Sequence, residues 1–522
     1  MESLGSKGSL RHTIFTGSAV AVTAAALAAV ASSIRKRRAL DKKLEEKRAL
    51  SRQTLNYVEQ HLQMSKALEL NKTINCITDA IVEAEDQAAA CDKMTDKQSP
   101  LHGMPLSVKD NIGVKGYETT GGMQINIGRV SELDSVIVQV FKRYGAIPFV
   151  KTNVPQSMYS YTCSNKIFGE TSNPHNTKRT PGGSSGGEGA ILGGGGSIIG
   201  LGTDVGGSVR VPAVFCGVCA LKPTVGRFSL VEMTRIMTAP DMWELDPTIP
   251  RMPFQEQLFA SEHKLRIGYY TWDGVLPPVP AVARAVHVAR KALESLGHTL
   301  VEFSPPGYGD AYASLYIATM AGGDRGQTLR EKVKDDYLDR GLQMLWIANL
   351  PQWLIGLLAA MIQSKDAVQA KVLRGLISAG TTYSWFRHVE KLRDYRNNFV
   401  KQWQSLKLDA VICPVFASPA PYSEDVGQLT AAASGAALYN LVNFPAGALP
   451  VTRVNEQDIE DTNNPVLYPA QTAFEKLLKR SCSSADSKGL PVGVQCVTLP
   501  YTEELCLRLM TELEGAVGFA SK

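Results

Sequence analysis

Pro181-Gly182-Gly183-Ser184-Ser185-Gly186-Gly187-Glu188, followed by Gly202-Thr203-Asp204-Val205-Gly206-Gly207-Ser208-Val209-Arg210, puts glycine-flanked serines into one segment with no histidine beside them. Residues without a Cβ adopt dihedrals closed to others and admit close approach, so glycines at this density let successive backbone N–H groups turn toward one point. That is how an oxyanion hole is built. A serine hydroxyl is a poor nucleophile until a nearby base takes its proton. With histidine missing here, the base has to come from elsewhere.

The candidate lies upstream, in Gly103-Met104-Pro105-Leu106-Ser107-Val108-Lys109-Asp110-Asn111, where an apolar, strand-like run ends in a lysine. To act as a base near neutrality, a lysine must fall from about 10.4 to about 7, which costs ~4 kcal/mol and is within reach of burial and neighbouring dipoles. Asp110 would oppose that fall if it pointed the same way, but successive strand residues face opposite sides. Read singly, Lys109 is a strand-end lysine reaching solvent, and Ser184 and Ser208 are caps or turn ligands; only the combined pattern favours chemistry.

The stretch from Pro181 to Lys222-Pro223-Thr224 resembles the amidase signature, a specific motif. Within that family it is most similar to the integral-membrane fatty-acid amide hydrolases. Asn153-Val154-Pro155-Gln156-Ser157-Met158, Phe215-Cys216-Gly217-Val218-Cys219, Leu438-Tyr439-Asn440, Asn443-Phe444-Pro445-Ala446-Gly447 and Val494-Gln495-Cys496-Val497 carry this likeness, which runs from about residue 70 to the C-terminus. The resemblance implies a Ser-Ser-Lys triad with Ser208 as nucleophile, Ser184 as bridging proton shuttle and Lys109 as base. It also implies an oxyanion hole from the backbone N–H groups of Val205, Gly206, Gly207 and Ser208. By the same resemblance Met158 and Ser184 are expected in the substrate site, and a cis peptide is expected before the shuttle serine. Ser185 and Arg210 read as structural partners, Arg210 pairing with Asp204. One departure is Lys109-Asp110-Asn111, which is closer to general amidases and bears on acyl-chain preference.

Other motifs lead nowhere comparable. Gly183-Ser184-Ser185-Gly186-Gly187 satisfies G-x-S-x-G on Ser185, but that elbow needs a later histidine. His263, His287, His298 and His388 stand in no context that singles one out. A phosphate loop would need a terminal Gly-Lys-Ser/Thr. Cys216 and Cys219 lie in an apolar run without a second pair and read as buried thiols. No metal or organic cofactor is expected. The net charge of +5 over 522 residues makes no case for nucleic acid, and nine cysteines without framework spacing suit a reducing compartment.

From Thr13 to Ile34 there is no charged residue, long enough for one span of about 20 residues. Arg35-Lys36-Arg37-Arg38 follows at once and predicts a cytosolic C-terminal side. Residues 1–34 are therefore expected as a membrane anchor, 35–95 as an amphipathic helical lead-in and 96–522 as the catalytic domain. An intracellular membrane, the endoplasmic reticulum first, is the expected location. Leu342 to Ile362 is also uncharged but contains Pro351, so two short helices with a turn fit better than a span. Trp346 and Trp353, with Arg340, Lys365, Lys371 and Arg374, suit a headgroup boundary. In the resembling family this region, about 342–377, is a cap dipping into the bilayer beside an acyl channel; a buried helical hairpin is the alternative.

Strand-like runs (Ala146 to Val150, Leu408 to Cys413, Gly447 to Val454) alternate with helical ones (Val282 to Leu296, Tyr383 to Leu406, Ala473 to Arg480), and Ser135 to Val140 is ambiguous. The expected class is α/β, and the family fold is a central mixed twisted sheet surrounded by helices. The expected function is a membrane-bound serine hydrolase cleaving fatty-acid amides, with the lipid amide and the bilayer as partners. An amidase for small polar amides, or an amidotransferase subunit of the same fold, is the alternative. A homodimer is among the expected assemblies.

Overall fold

The computed structural model describes residues 32–55, 65–225, 231–321, 324–342, 347–377 and 381–519. Twelve strands follow in chain order: β1 Ile77–Ala80, β2 Pro105–Lys109, β3 Ile147–Thr152, β4 Ser164–Asn165, β5 Gly169–Glu170, β6 Ile199–Leu201, β7 Ala220–Lys222, β8 Arg266–Tyr269, β9 Thr299–Glu302, β10 Ala410–Pro414, β11 Ala446–Arg453 and β12 Pro491–Thr498. β4 and β5 form a small hairpin. The other ten make a mixed sheet in two hydrogen-bonded sections, ordered β1-β3-β2-β6 and β7-β11-β12-β10-β8-β9. The class is α/β as expected, but the single central sheet is interrupted. A cavity of about 580 Å3, lined by residues of both β6 and β7, lies where the sections end.

Each section follows its sequence pattern. β2 sits between β3 and β6, parallel to both. Its period of two sends Leu106 and Val108 into an apolar cluster with Val138, Phe141 and Leu201. Ser107 and Lys109 then face the helix Gly186–Gly193 on the other side. β10, β11 and β12 are buried almost throughout, and their Ile412, Leu449 and Val494 join the largest core, covered by the helices Pro280–Ser295 and Glu503–Val517. The ambiguous run after Ser135 is the helix Val136–Arg143, whose buried Val140 and Phe141 pack inward.

Two expectations need adjusting. The lead-in over 35–95 is helical over 32–55, Ser65–Ile74 and Ala84–Lys93, but it also supplies β1, an edge strand antiparallel to β3. The run Ile77 to Ala80 is only four residues long and carries Thr78 and Asp79, so no apolar pattern marks it, and only its burial against β3 makes it a strand. The helix over 32–55 docks on the domain through Lys47, whose buried ammonium lies 3.1 Å from Asp79 and 3.6 Å from Glu118. The predicted span from Thr13 lies outside the described residues up to residue 31. Among the described residues no helix is long and apolar enough to cross a membrane.

In the cap region, Pro351 breaks the chain as its missing N–H requires, and the helix Gln352–Ile362 follows it. Ile355 and Ala359 are buried, while Trp353, Leu357 and Met361 form an exposed apolar row at i, i+4, i+8; Trp353 is 71% exposed. The next helix, Ala367–Gly375, packs between this one and the turn Tyr312–Ile317.

Candidate active site

Lys109 ends β2 with its side chain fully buried. Its Nζ lies 2.8 Å from Ser184 Oγ, 2.7 Å from Thr203 Oγ1 and 3.3 Å from Thr203 O. Burial pushes this amine down to about 7, against the opposing pull of the buried carboxylates Asp204 and Glu188. The three contacts satisfy the three N–H donors of the ammonium, and loss of one proton leaves two donors and a lone pair. Thr203 can take both donors, which leaves the lone pair for the Ser184 hydroxyl proton. Asp110 points to the other face, as strand alternation requires. It accepts from Thr120 Oγ1 at 2.8 Å and Gly121 N at 2.6 Å, and Lys151 lies 3.9 Å away.

The Gly183–Ser184 peptide is cis. The helix that begins at Gly186 starts against neighbouring backbone: a Cβ on Gly187 would collide with the backbone of Asn153, so only glycine fits. Ser185 N donates to Ser208 O at 2.9 Å, tying the two serine turns together. Ser185 Oγ exchanges hydrogen bonds with the Thr203 backbone, a structural role as expected.

Asp204 organises the second turn. It accepts from Gly207 N at 2.7 Å, Val209 N at 3.1 Å, Arg210 Nε at 3.1 Å and Asn440 Nδ2 at 3.0 Å. Burial works against its ionisation, but the Arg210 charge and these hydrogen bonds win and hold its carboxyl well below the usual range. Arg210 is held in turn by Gln495 Oε1 at 2.7 Å and by Asn440. The stretches around 440 and 495 thus meet on the Asp204–Arg210 pair. Of the four expected oxyanion donors, Gly207 spends its N–H on Asp204.

Ser208 is half-buried and borders a cavity of about 120 Å3 with Met158, Tyr161, Val205, Gly206, Tyr316 and Leu376. Ser157 and Met158 both sit at φ 60°, a left-handed conformation that non-glycine residues rarely adopt. Their turn is braced by Gln156, whose Oε1 accepts from Asp339 N at 2.7 Å and whose Nε2 donates to Tyr337 O at 3.2 Å. Val205 also borders the larger cavity at the sheet break, together with Thr203, Asp204, Lys222 and Asn440.

Three groups escaped the sequence reading. Thr203 stands inside the quoted motif, next to the conspicuous Asp204. Glu188 closes the first motif; fully enclosed, it accepts from Ser107 Oγ at 2.7 Å and Thr152 Oγ1 at 2.6 Å, and burial raises it to about 7. Tyr308, Tyr312 and Tyr316 recur every fourth residue, the one signal that could have marked them as one face of a helical turn. The histidines lie elsewhere: His298 bonds Leu265 N and Glu512, and His388 bonds Thr319. Cys216 is buried and its thiol donates to Pro181 O at 3.4 Å.

A family profile described as Amidase matches residues 61–241 and 229–507. The chain belongs to the amidase family. This amidase is 40% identical over 484 residues to fatty-acid amide hydrolase 1 of Sus scrofa, covering 86% of this chain and 81% of that protein. It is 35% identical over 488 residues to fatty acid amide hydrolase 1 of Caenorhabditis elegans, covering 87% and 84%. A solved fatty acid amide hydrolase superposes with a TM-score of 0.72 at 23% identity, over 87% of this chain and 80% of that one, which establishes the fold. The protein is an amide hydrolase.

Proposed function

We propose that this amidase hydrolyses fatty-acid amides, N-acylethanolamines and primary fatty amides, through a Ser-Ser-Lys triad at a membrane surface. The observation that carries the reading is the fully buried Lys109 amine, near neutral pKa, 2.8 Å from Ser184 Oγ. Neutral Lys109 takes the Ser184 proton as Ser184 takes that of Ser208, and Ser208 Oγ attacks the amide carbonyl. The tetrahedral oxyanion is met by the N–H groups of Val205, Gly206 and Ser208. Gly207, fourth in the expected set, contributes by holding the turn through Asp204. The relay then runs backwards: the ammonium of Lys109 returns its proton through Ser184 to the departing amine, which cannot leave well without it. Water, activated by the same relay, releases the fatty acid from Ser208.

The cavity at Ser208 supports an acyl occupant, since Met158, Ile317, Met320, Val372 and Leu376 line it. At about 120 Å3 it is smaller than the ~300–1,000 Å3 usual for small-molecule sites. A long chain must therefore run on past Met320 and Leu376 toward the cap helices. The larger cavity across Val205 suits the amine portion. The exposed row Trp353, Leu357 and Met361 supports a cap seated in lipid, and the basic run after Ile34 supports a cytosolic catalytic domain on an intracellular membrane.

The test is covalent labelling of the detergent-extracted protein by a fluorophosphonate, with loss of label in Ser208→Ala. It is joined to hydrolysis of a long-chain ethanolamide, a long-chain primary amide and a short polar amide. Turnover of the short amide with neither lipid cleaved would overturn the substrate assignment, and labelling that survives Ser208→Ala would overturn the nucleophile.

A further inference from the structure

The glycines that open backbone N–H groups to a substrate also leave those groups free to rotate. Gly206 and Gly207 carry no side chain to restrain them, and Gly207 sits at φ 109°. Yet the peptide joining them is fixed at both ends. Its N–H donates to Asp204 Oδ1 at 2.7 Å, and its carbonyl, Gly206 O, accepts from Tyr161 Oη at 2.6 Å. The Tyr316 hydroxyl backs this contact. It hydrogen-bonds with Tyr161 and fills the space beside Gly206, where any Cβ would collide with it.

Tyr316 is itself held in place. It belongs to the π-helical turn Tyr312–Ile317, a wide turn that recurs at functional sites, and stacks on Tyr312 with ring centroids 5.6 Å apart. Tyr312 Oη donates to Thr430 O at 3.1 Å, and the next ring in the column, Tyr308, donates to Ser434 O at 2.7 Å. Ala436, just beyond, packs where a Cβ of Gly207 would stand. Burial pushes the Tyr161 and Tyr316 phenols far above their ordinary value, so both stay protonated donors.

We propose that Tyr161, backed by Tyr316, is a positioning residue for amide hydrolysis: the two phenols lock the Gly206–Gly207 peptide so that the N–H groups of Val205, Gly206 and Ser208 stay aimed at the developing oxyanion. The proposal rests on Ser208 being the nucleophile. Donors held in place before reaction stabilise a transition state without reorganising, so the clamp acts on kcat rather than on substrate affinity.

Tyr161→Phe removes one hydroxyl and keeps the ring and the cavity wall. On the full-length protein it lowers kcat for a long-chain ethanolamide about ten- to a hundredfold, with KM within about twofold. The fluorophosphonate labelling rate falls in step. The acid limb of the pH profile stays in place, because the clamp touches the donors and not Lys109. Tyr316→Phe causes a smaller loss in the same sense, and the double variant is no worse than Tyr161→Phe alone, since Tyr316 acts through Tyr161. Wild-type kcat in Tyr161→Phe, a loss confined to KM, or losses that multiply in the double variant would overturn the clamp. Should Tyr161→Phe fail to fold, Tyr316→Phe decides alone: lower kcat at constant KM supports it, unchanged kcat rejects it. A probe found on a residue other than Ser208 in the wild-type protein sinks the nucleophile reading, and the clamp with it.

Discussion

Lys109 and Glu188 are two enclosed ionisable groups on one side of β2, each moved by burial to about 7, from opposite directions. In the proposed relay the amine is the working form of Lys109, so kcat/KM is expected to rise with pH through about 7 as the ammonium loses its proton, and to flatten above. A carboxylate at 188 favours that ammonium and holds the lysine up. Glu188→Gln keeps acceptor and donor for Ser107 and Thr152 but removes the charge, so the acid limb moves to lower pH, by roughly half a unit. A pH–rate profile of the variant checks this, and an unmoved or raised midpoint would separate Glu188 from the lysine. At Thr203, one residue supplies both the carbonyl and the hydroxyl that can receive the lysine's protons, a role no serine-and-lysine motif advertises.

Among the elements, the two that flank the core are held by different forces. The helix over 32–55 is clamped by charge: Lys47 is buried with Asp79 and Glu118 around it, and Arg37 stacks over Tyr337. Removing one member of a buried set strands the others, so Lys47→Met destabilises the fold by about 3 kcal/mol, and adding Asp79→Asn recovers part of it. Urea unfolding of the two variants measures the pair, and equal midpoints for Lys47→Met and wild type would dissolve the clamp. The cap helix Gln352–Ile362 is held on one face only, by Ile355 and Ala359, and shows apolar side chains outward on the other. Charging that face with Trp353→Asp and Leu357→Asp weakens flotation with liposomes or raises KM for long-chain amides, while a short amide is turned over as before. Identical flotation and kinetics would make the face an ordinary surface.

Across the described residues burial lowers Lys151, and it brings two further lysines down to about 7, Lys109 at the end of β2 and Lys222 at the end of β7, one on each side of the break in the sheet. For Lys222 burial is the main cause and the charge of Arg210 the second, and its amine donates to Pro223 O at 2.8 Å. In the unfolded chain a lysine keeps its proton to about 10.4, whereas each of these loses it near 7 when folded. Between those values the unfolded state binds more protons, so raising the pH favours folding, by up to ~1.4 kcal/mol per pH unit for each lysine. Below about 7 the penalty of burying them is fully present. Lys222→Met removes one of these contributions, so its stability gain from pH 7 to pH 9 is smaller than that of the wild type, read from urea midpoints. Parallel curves for the two proteins would contradict the burial argument.

The Ser184 and Ser208 turns, the strand ending in Lys109, the Asp204–Arg210 pairing and the proline break before the cap helix were legible along the chain. Each depends on local properties: which dihedrals glycine allows, which face a side chain takes in a strand, where proline denies a hydrogen bond. β1, the interruption between β6 and β7, the enclosure of Glu188 and the tyrosine column over Gly206 were not, because each is made by segments far apart in sequence. How deeply Lys109 is buried, and so how weakly it holds its proton, belongs to this second kind. Desolvation is a property of what surrounds a group, and those surroundings exist only once strand, glycine helix and Thr203 turn have packed together.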